Sequence, residues 1–165
     1  MSGRGAQSKL FWLLCSLALI AVLAACGKSG ESPRVHQAAN GDLQEETASL
    51  HDLPAFLDER PNKVKLAYEA AAALQDTLQW IPCYCGCGES AGHRNNLHCF
   101  IHEVRKDGTV VWDDHGTRCD VCLSIALQSA QLKSQGKSNA EIRQFIDATY
   151  KTGYSNPTDT PVPVS

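Results

Sequence analysis

Cysteine and histidine are concentrated in one short stretch of the chain, and this concentration limits what the chain can fold around. Six of the eight cysteines and four of the six histidines lie between Cys83 and Cys122. Such a dense set of thiols and imidazoles is typical of metal sites, and an even number of cysteines is also typical of a disulfide framework. We therefore expect the function to reside in this window.

The rest of the composition is ordinary. Hydrophobic residues make up 43% of the chain and charged residues 20%, and the formal net charge is -3. These values exclude a collagen-like or wholly disordered chain, a membrane protein with several spans, and a basic nucleic-acid-binding protein. We accordingly expect no nucleic acid among the partners.

The N-terminus has the pattern of a bacterial export signal. Arg4 and Lys9 precede an uncharged apolar run at residues 10–25, which is shorter than the roughly 20 residues of a membrane-spanning helix. The run ends in Leu-Ala-Ala before Cys26, which resembles a lipobox, where a cysteine receives a diacylglycerol lipid and the chain is cleaved before it. We predict a signal peptide at residues 1–25 and an exported protein, anchored to the outer face of the cell membrane by a lipid on Cys26. An uncleaved membrane-spanning helix is the alternative.

Composition divides the exported part into a tether, a domain and a tail. Residues 26–49 are rich in small and polar residues, which predicts a flexible tether. Residues 50–155 contain the cysteine- and histidine-rich domain. Residues 156–165 include three prolines and predict an irregular tail.

Hydrophobic periodicity predicts a mainly helical α+β fold for the domain, with about three helices, a Cys-rich loop and one short β-hairpin. Apolar residues at three- and four-residue spacing indicate a helix at 62–80, and alternation on either side of a Lys-Asp-Gly turn indicates a hairpin at 100–112.

Capping patterns predict the other two helices. Thr117 followed by Asp120 resembles an N-cap signature for a helix at 118–135, and Ser138 with Glu141 forms a capping box for the last helix. The apolar stripe predicted on that last helix consists of Ile142, Phe145, Ile146 and Tyr150.

Three clusters supply the candidate metal ligands. The first is a cysteine triplet with two-residue spacing, whose sulfurs share one edge of an extended backbone. The second mixes histidines with one cysteine, and its ligands depend on whether the segment is helix or strand. The third is a C-x-x-C pair after a histidine, where a helix N-terminus would favour the thiolates. The predicted ligands are Cys83, Cys85, Cys87, His93, His98, Cys99, His102, His115, Cys119 and Cys122.

One hexapeptide makes a family resemblance specific. Residues 82–87 read Pro-Cys-Tyr-Cys-Gly-Cys, and with the downstream cysteines and histidines the chain resembles the bacterial lipoproteins named after this PCYCGC motif. The resemblance spans roughly residues 60–150 together with the lipobox. It implies an exported lipoprotein and supplies no mechanism.

The leading functional hypothesis is a soft-metal site. Thiolate and imidazole select Cu(I) or Zn over Mg, Ca or Mn, and the density of sulfur slightly favours Cu(I). The site would serve a metal carrier or scavenger, with a metal donor or acceptor protein as partner, or it would be structural. Ten candidate ligands are more than one tetrahedral site needs. The alternatives are two sites, one thiolate-bridged cluster, or a single site with some of the ten residues outside the coordination sphere. The only methionine is Met1, so the domain offers no thioether ligand.

Two alternatives use the same cysteines differently. In an oxidising compartment, six cysteines can pair into three disulfides and staple a structural or interaction domain. The tight spacing of the triplet and the four nearby histidines, which disulfides do not need, speak against this pairing. Cys119 and Cys122 also resemble a thiol-disulfide oxidoreductase motif, but no βαβ pattern precedes them. No catalytic triad, phosphate loop or dinucleotide fingerprint supports another class of enzyme, so we expect no catalytic residues.

Overall fold

The computed structural model describes residues 34–163, and five α-helices and four β-strands lie in that range. The strands are β1 (Val35–Gln37), β2 (Leu43–Thr47), β3 (Ile101–Val104) and β4 (Val110–Asp113). They form one antiparallel sheet in the order β1-β2-β4-β3. The mixed α+β class and the hairpin predicted at 100–112 are confirmed, since β3 and β4 pair directly. The predicted signal peptide and Cys26 lie outside the described residues.

Strands β1 and β2 lie in the segment whose composition predicts a tether, and that prediction is wrong for residues 35–47. Composition misses β2 because its most buried side chains, Gln44 and Glu45, are polar. Gln44 donates a hydrogen bond to the Asp113 carboxylate at 2.9 Å, and the Glu45 carboxylate accepts one from the Ala55 amide at 2.7 Å. These bonds offset the cost of burying polar groups, so the strand needs no apolar alternation.

The helices are α1 (Asn62–Ala73), α2 (Gln75–Leu78), α3 (Cys87–Ala91), α4 (Asp120–Ser134) and α5 (Asn139–Tyr150). Helices α1 and α2 occupy the single helix predicted at 62–80. The break falls at Leu74, whose φ of -122° and ψ of 31° are not helical. The short helix α3 lies inside the predicted Cys-rich loop.

The predicted caps have different outcomes. Ser138 and Glu141 form the complete capping box of α5, as predicted. Thr117 does not cap α4, because its hydroxyl donates to the Asp114 carbonyl at 2.8 Å inside a 3-10 turn at Asp114–Arg118. Cys119 occupies the N-cap position of α4 instead. On α5 the predicted stripe is wrong at Phe145, which is 45% exposed.

An aromatic core joins the sheet to the helices. Three aromatic side chains are fully buried: Tyr68 of α1, Phe100 just before β3, and Trp112 of β4. The Tyr68 hydroxyl donates a hydrogen bond to the Asp113 carbonyl at 2.6 Å. Helix α1 also packs against α4. This core fixes the end of β4 relative to the start of α4. The start of α4 carries Cys119 and Cys122. Within residues 34–163, no helix is both long and apolar enough to cross a bilayer.

Candidate metal centre

Three short segments bring the cysteines together. Cys83 and Cys85 lie in the loop after α2, and Cys87 begins α3. Cys99 ends a 3-10 turn at Asn96–Cys99, and Cys122 lies in the first turn of α4. Between the second and third cysteines of the triplet, Gly86 has a φ of 86°, which glycine adopts without steric cost. The chain therefore turns between them, and all three sulfurs face Cys122.

The sulfur atoms form one contiguous cluster. Cys122 Sγ lies 3.1 Å from Cys83 Sγ, 3.5 Å from Cys85 Sγ and 3.3 Å from Cys99 Sγ. Cys87 Sγ lies 3.7 Å from Cys99 Sγ. A tetrahedral ion with metal–sulfur bonds of about 2.3 Å separates its sulfur ligands by about 3.8 Å, which is close to these distances. The donor set therefore fits a soft metal ion.

None of the six cysteines in residues 34–163 forms a disulfide. The shortest sulfur–sulfur distance is 3.1 Å, between Cys83 and Cys122, whereas a disulfide bond is about 2.0 Å long. The four sulfurs of Cys83, Cys85, Cys87 and Cys122 lie within 4.8 Å of one another. We call this set the four-sulfur group.

The thiols of the cluster differ in acidity. Hydrogen bonds from Cys122 and Cys85 lower the pKa of Cys83 to about 4, whereas burial raises the pKa of Cys99 well above its usual value. The predicted lowering at Cys119 is wrong. Its hydrogen bond with Cys122 lowers its pKa, but the bond with Cys85 and burial outweigh this effect and raise the pKa to about 11. When thiols pack this closely, some are thiolates that accept hydrogen bonds and others stay protonated to donate them. A bound cation would replace those protons.

A second, mixed group adjoins the four-sulfur group. Cys87, His93 and Cys99 are all buried and lie within 4.8 Å of one another, with His93 Nδ1 at 3.4 Å from Cys99 Sγ. Cys87 belongs to both groups. We call this second set the mixed group.

Asp42, which no motif in the sequence indicates, lies against two histidines beside the cluster, His93 and His115. Its side chain is 5% exposed, and its carboxylate lies 3.7 Å from His93 Nε2 and 3.2 Å from His115 Nδ1. The Arg118 guanidinium donates to Asp42 and, at 3.0 Å, to Asp114. Both carboxylates are thus paired with the same cation of the chain. Asp42 lies in the predicted tether, where composition gave no signal for it.

The remaining predicted ligands lie outside both groups. His102 is on the exposed side of β3, because the chain becomes a strand two residues after Cys99. His98 is half-buried, and burial and Arg94 lower its pKa to about 4, so its imidazole is neutral at pH 7. The pKa of His115 is raised to about 9, first by the Cys85 sulfur and then by Asp42. His115 therefore supplies positive charge beside the cluster. Cys119 is half-buried at the start of α4.

The C-terminal segment packs on the Cys-rich loop. Residues 156–163 have no regular secondary structure, but Thr158 and Thr160 are buried. Cys83 and Thr158 exchange two hydrogen bonds, one from the Thr158 amide to the Cys83 carbonyl at 3.0 Å and one from the Cys83 amide to the Thr158 hydroxyl at 2.9 Å. Arg143 of α5 donates to the Thr160 and Pro161 carbonyls. The segment thus holds the loop that carries the triplet.

The fold and the site define a small α+β domain that encloses a thiol-rich centre able to hold a metal ion. The chain belongs to the family described as protein of unknown function with PCYCGC motif, whose model matches residues 13–163. The family resemblance noted from the sequence is therefore confirmed. No curated protein and no solved structure matches the chain.

Proposed function

We propose that this protein is a lipoprotein tethered to the outer face of the cell membrane, whose domain binds a soft transition metal ion. The observation that carries the proposal is the four-sulfur group, because four mutually close thiols, three of them buried and one half-buried, are typical of a soft-metal site. Disulfide staples would use the same cysteines, but the pattern of contacts favours metal, since Cys122 contacts several sulfurs at similar distances and not one partner.

The donor chemistry favours Cu(I) slightly over Zn. A fifth sulfur, Cys99, lies 3.3 Å from Cys122, so the cluster offers more thiolate than one tetrahedral zinc ion uses. The nearby carboxylates of Asp42 and Asp114 both pair with Arg118, which disfavours them as ligands relative to the free thiols. A zinc ion in the four-sulfur group would be structural.

We infer that the protein carries or scavenges the metal and exchanges it with a donor or acceptor protein. Cys85 is the half-buried member of the four-sulfur group, and the other three are buried. An incoming thiol can therefore approach the ion through Cys85 first. Exchange of this kind replaces one thiolate ligand by another, and the metal keeps its oxidation state.

The test is an anaerobic competition. The full chain is purified anaerobically without added reductant and challenged with equal amounts of Cu(I) and Zn. Bound metal is then measured, and thiol labelling with peptide mapping counts the free thiols between Cys83 and Cys122. We expect bound copper in at least stoichiometric amount and six thiols that react after denaturation. Bound zinc without copper would overturn the copper preference, and a metal-free chain whose thiols are all oxidised would overturn metal binding in favour of disulfides.

Changing Asp42 to asparagine is expected to weaken metal binding without reducing the number of ions bound. The carboxylate orients His93 and His115, and loss of such a partner behind a metal ligand typically costs about 10- to 100-fold in affinity. The measurement is competition with a chelator of known affinity. The matched control is Asp58→Asn, at an exposed carboxylate, which should bind metal as the wild type does. Equal affinity for Asp42→Asn and Asp58→Asn would contradict the role of Asp42.

Changing Cys26 to serine is expected to release the protein from the membrane. A serine hydroxyl cannot take the thioether-linked lipid, so the lipid anchor is lost. The measurement is the distribution of the full chain between membrane and soluble fractions, with Cys15→Ser as the matched control. If Cys26→Ser stays membrane-bound, an uncleaved helix is the anchor.

A further inference from the structure

We propose that the centre holds two metal ions that share the Cys87 thiolate. One ion occupies the four-sulfur group, and the other occupies the mixed group of Cys87, His93 and Cys99. The inference rests on the proposed function, and it adds the number of ions and the identity of the more exchangeable one.

The mixed group has the geometry of a metal site in its own right. His93 Nδ1 lies 3.4 Å from Cys99 Sγ, and Cys99 Sγ lies 3.7 Å from Cys87 Sγ. A tetrahedral ion with bonds of about 2.3 Å to sulfur and about 2.0 Å to nitrogen separates such donors by about 3.6 Å. All three side chains are buried, so they are already ordered before an ion binds.

His93 has the environment of a ligand. Its Nδ1 faces sulfur, whereas its Nε2 lies 3.7 Å from a carboxylate oxygen of Asp42. A histidine that binds a metal through one nitrogen commonly directs its other nitrogen to a carboxylate, which fixes the ring and its tautomer. Asp42 itself is held by Arg118, so it serves as that partner and not as a ligand.

Charge also favours a second ion. Cys83, Cys85, Cys87, Cys99 and Cys122 form one sulfur cluster, in which Cys99 lies 3.9 Å from Cys83 and 3.3 Å from Cys122. Five thiolates carry more negative charge than one divalent or monovalent ion neutralises, and buried charge is costly unless it is paired. A second cation beside the shared thiolate reduces this excess.

The second ion is the more exchangeable one. The mixed group supplies three donors, so a tetrahedral ion there keeps one position for another ligand. His93 also lines a cavity of about 670 Å³, together with Gly86, Gly88, Arg94 and Thr158. Gly86 and Gly88 flank Cys87 and line the same cavity as His93, so a small ligand can approach the mixed group from this side.

The test titrates the reduced full chain with Cd²⁺ alone under anaerobic conditions and counts bound ions by native mass spectrometry and by ¹¹³Cd NMR. We expect two ions and two resonances that are coupled through the shared thiolate. A chelator should remove one ion well before the other. His93→Ala should bind one ion and keep the resonance of the four-sulfur group, and the matched control His102→Ala, at an exposed histidine, should bind two.

The outcomes separate this inference from the proposed function. A wild-type chain that binds one ion, or a His93→Ala chain that binds two, would overturn the two-ion centre and leave soft-metal binding intact. A chain that binds no cadmium would overturn both. His93→Gln, which preserves polarity and approximate volume, tests the same loss with less disturbance of the fold and should also bind one ion.

Discussion

Replacing Cys122 with serine is expected to lower soft-metal affinity by more than about 100-fold. Cys122 is fully buried and lies within 3.5 Å of the sulfurs of Cys83, Cys85 and Cys99. Serine keeps the approximate size of the side chain but replaces a soft thiolate by a hydroxyl, which is a poor ligand for Cu(I) or Zn. Removing a ligand directly should cost more than the about 10- to 100-fold typical of a residue that only orients one.

The matched control is Cys119→Ser, at the N-cap of the same helix and three residues before Cys122. This change has the same chemistry, but Cys119 lies outside the four-sulfur and mixed groups. Affinity is measured by competition with a chelator, and circular dichroism verifies the fold. We expect the Cys119→Ser affinity to stay within about tenfold of the wild type. If the two variants lose metal equally, Cys119 belongs to the centre and the assignment of the four-sulfur group is wrong.

Replacing Gly116 with alanine is expected to destabilise the domain by about 1–3 kcal/mol. A Cβ at this buried position would lie 2.7 Å from Phe100 Cε1 and 2.9 Å from the Cys99 carbonyl oxygen. Phe100 cannot move easily, because it is fully buried and its ring packs edge-on against Tyr68 with centroids 5.0 Å apart. The backbone at Cys99 must therefore shift, and its sulfur shifts with it.

Chemical denaturation measures this loss of stability. Gly136→Asn is a suitable control, since Gly136 has a φ of 79° with nothing within 4 Å, and asparagine tolerates that conformation. We expect the control to change stability much less than Gly116→Ala. Metal affinity of Gly116→Ala should also fall, because Cys99 is displaced. Unchanged stability would show that Phe100 and Cys99 relax freely, and it would contradict the close packing around Gly116.

Local patterns in the sequence predicted the parts of the fold and site that local chemistry controls. The two-residue spacing of Cys83, Cys85 and Cys87 predicted that their sulfurs share one edge. The sulfurs do lie together, but a turn at Gly86 and the start of α3 place Cys87 there instead of an extended backbone. The capping box of α5 and the hairpin of β3 and β4 follow from short-range signals in the same way.

Long-range polar contacts were the part that the sequence did not reveal. Strand β2 buries Gln44 and Glu45 through hydrogen bonds to distant residues, so its composition resembles that of a tether. Asp42 reaches His93, His115 and Arg118 from far away in the sequence, and no spacing rule indicates such a contact. The C-x-x-C motif predicted that Cys119 and Cys122 are both ligands, but only Cys122 lies in the four-sulfur group. The two side chains diverge because Cys119 is extended at the helix N-cap whereas Cys122 is helical.

Intact mass spectrometry of the anaerobically purified, copper-loaded full chain tests the central claim most directly. Each bound Cu(I) adds its own mass less that of the proton it displaces, whereas each disulfide removes the mass of two hydrogens. For the chain under native conditions we predict two copper ions, and for the denatured chain we predict the mass with all six thiols between Cys83 and Cys122 reduced. A native mass without metal that matches three disulfides would contradict the claim.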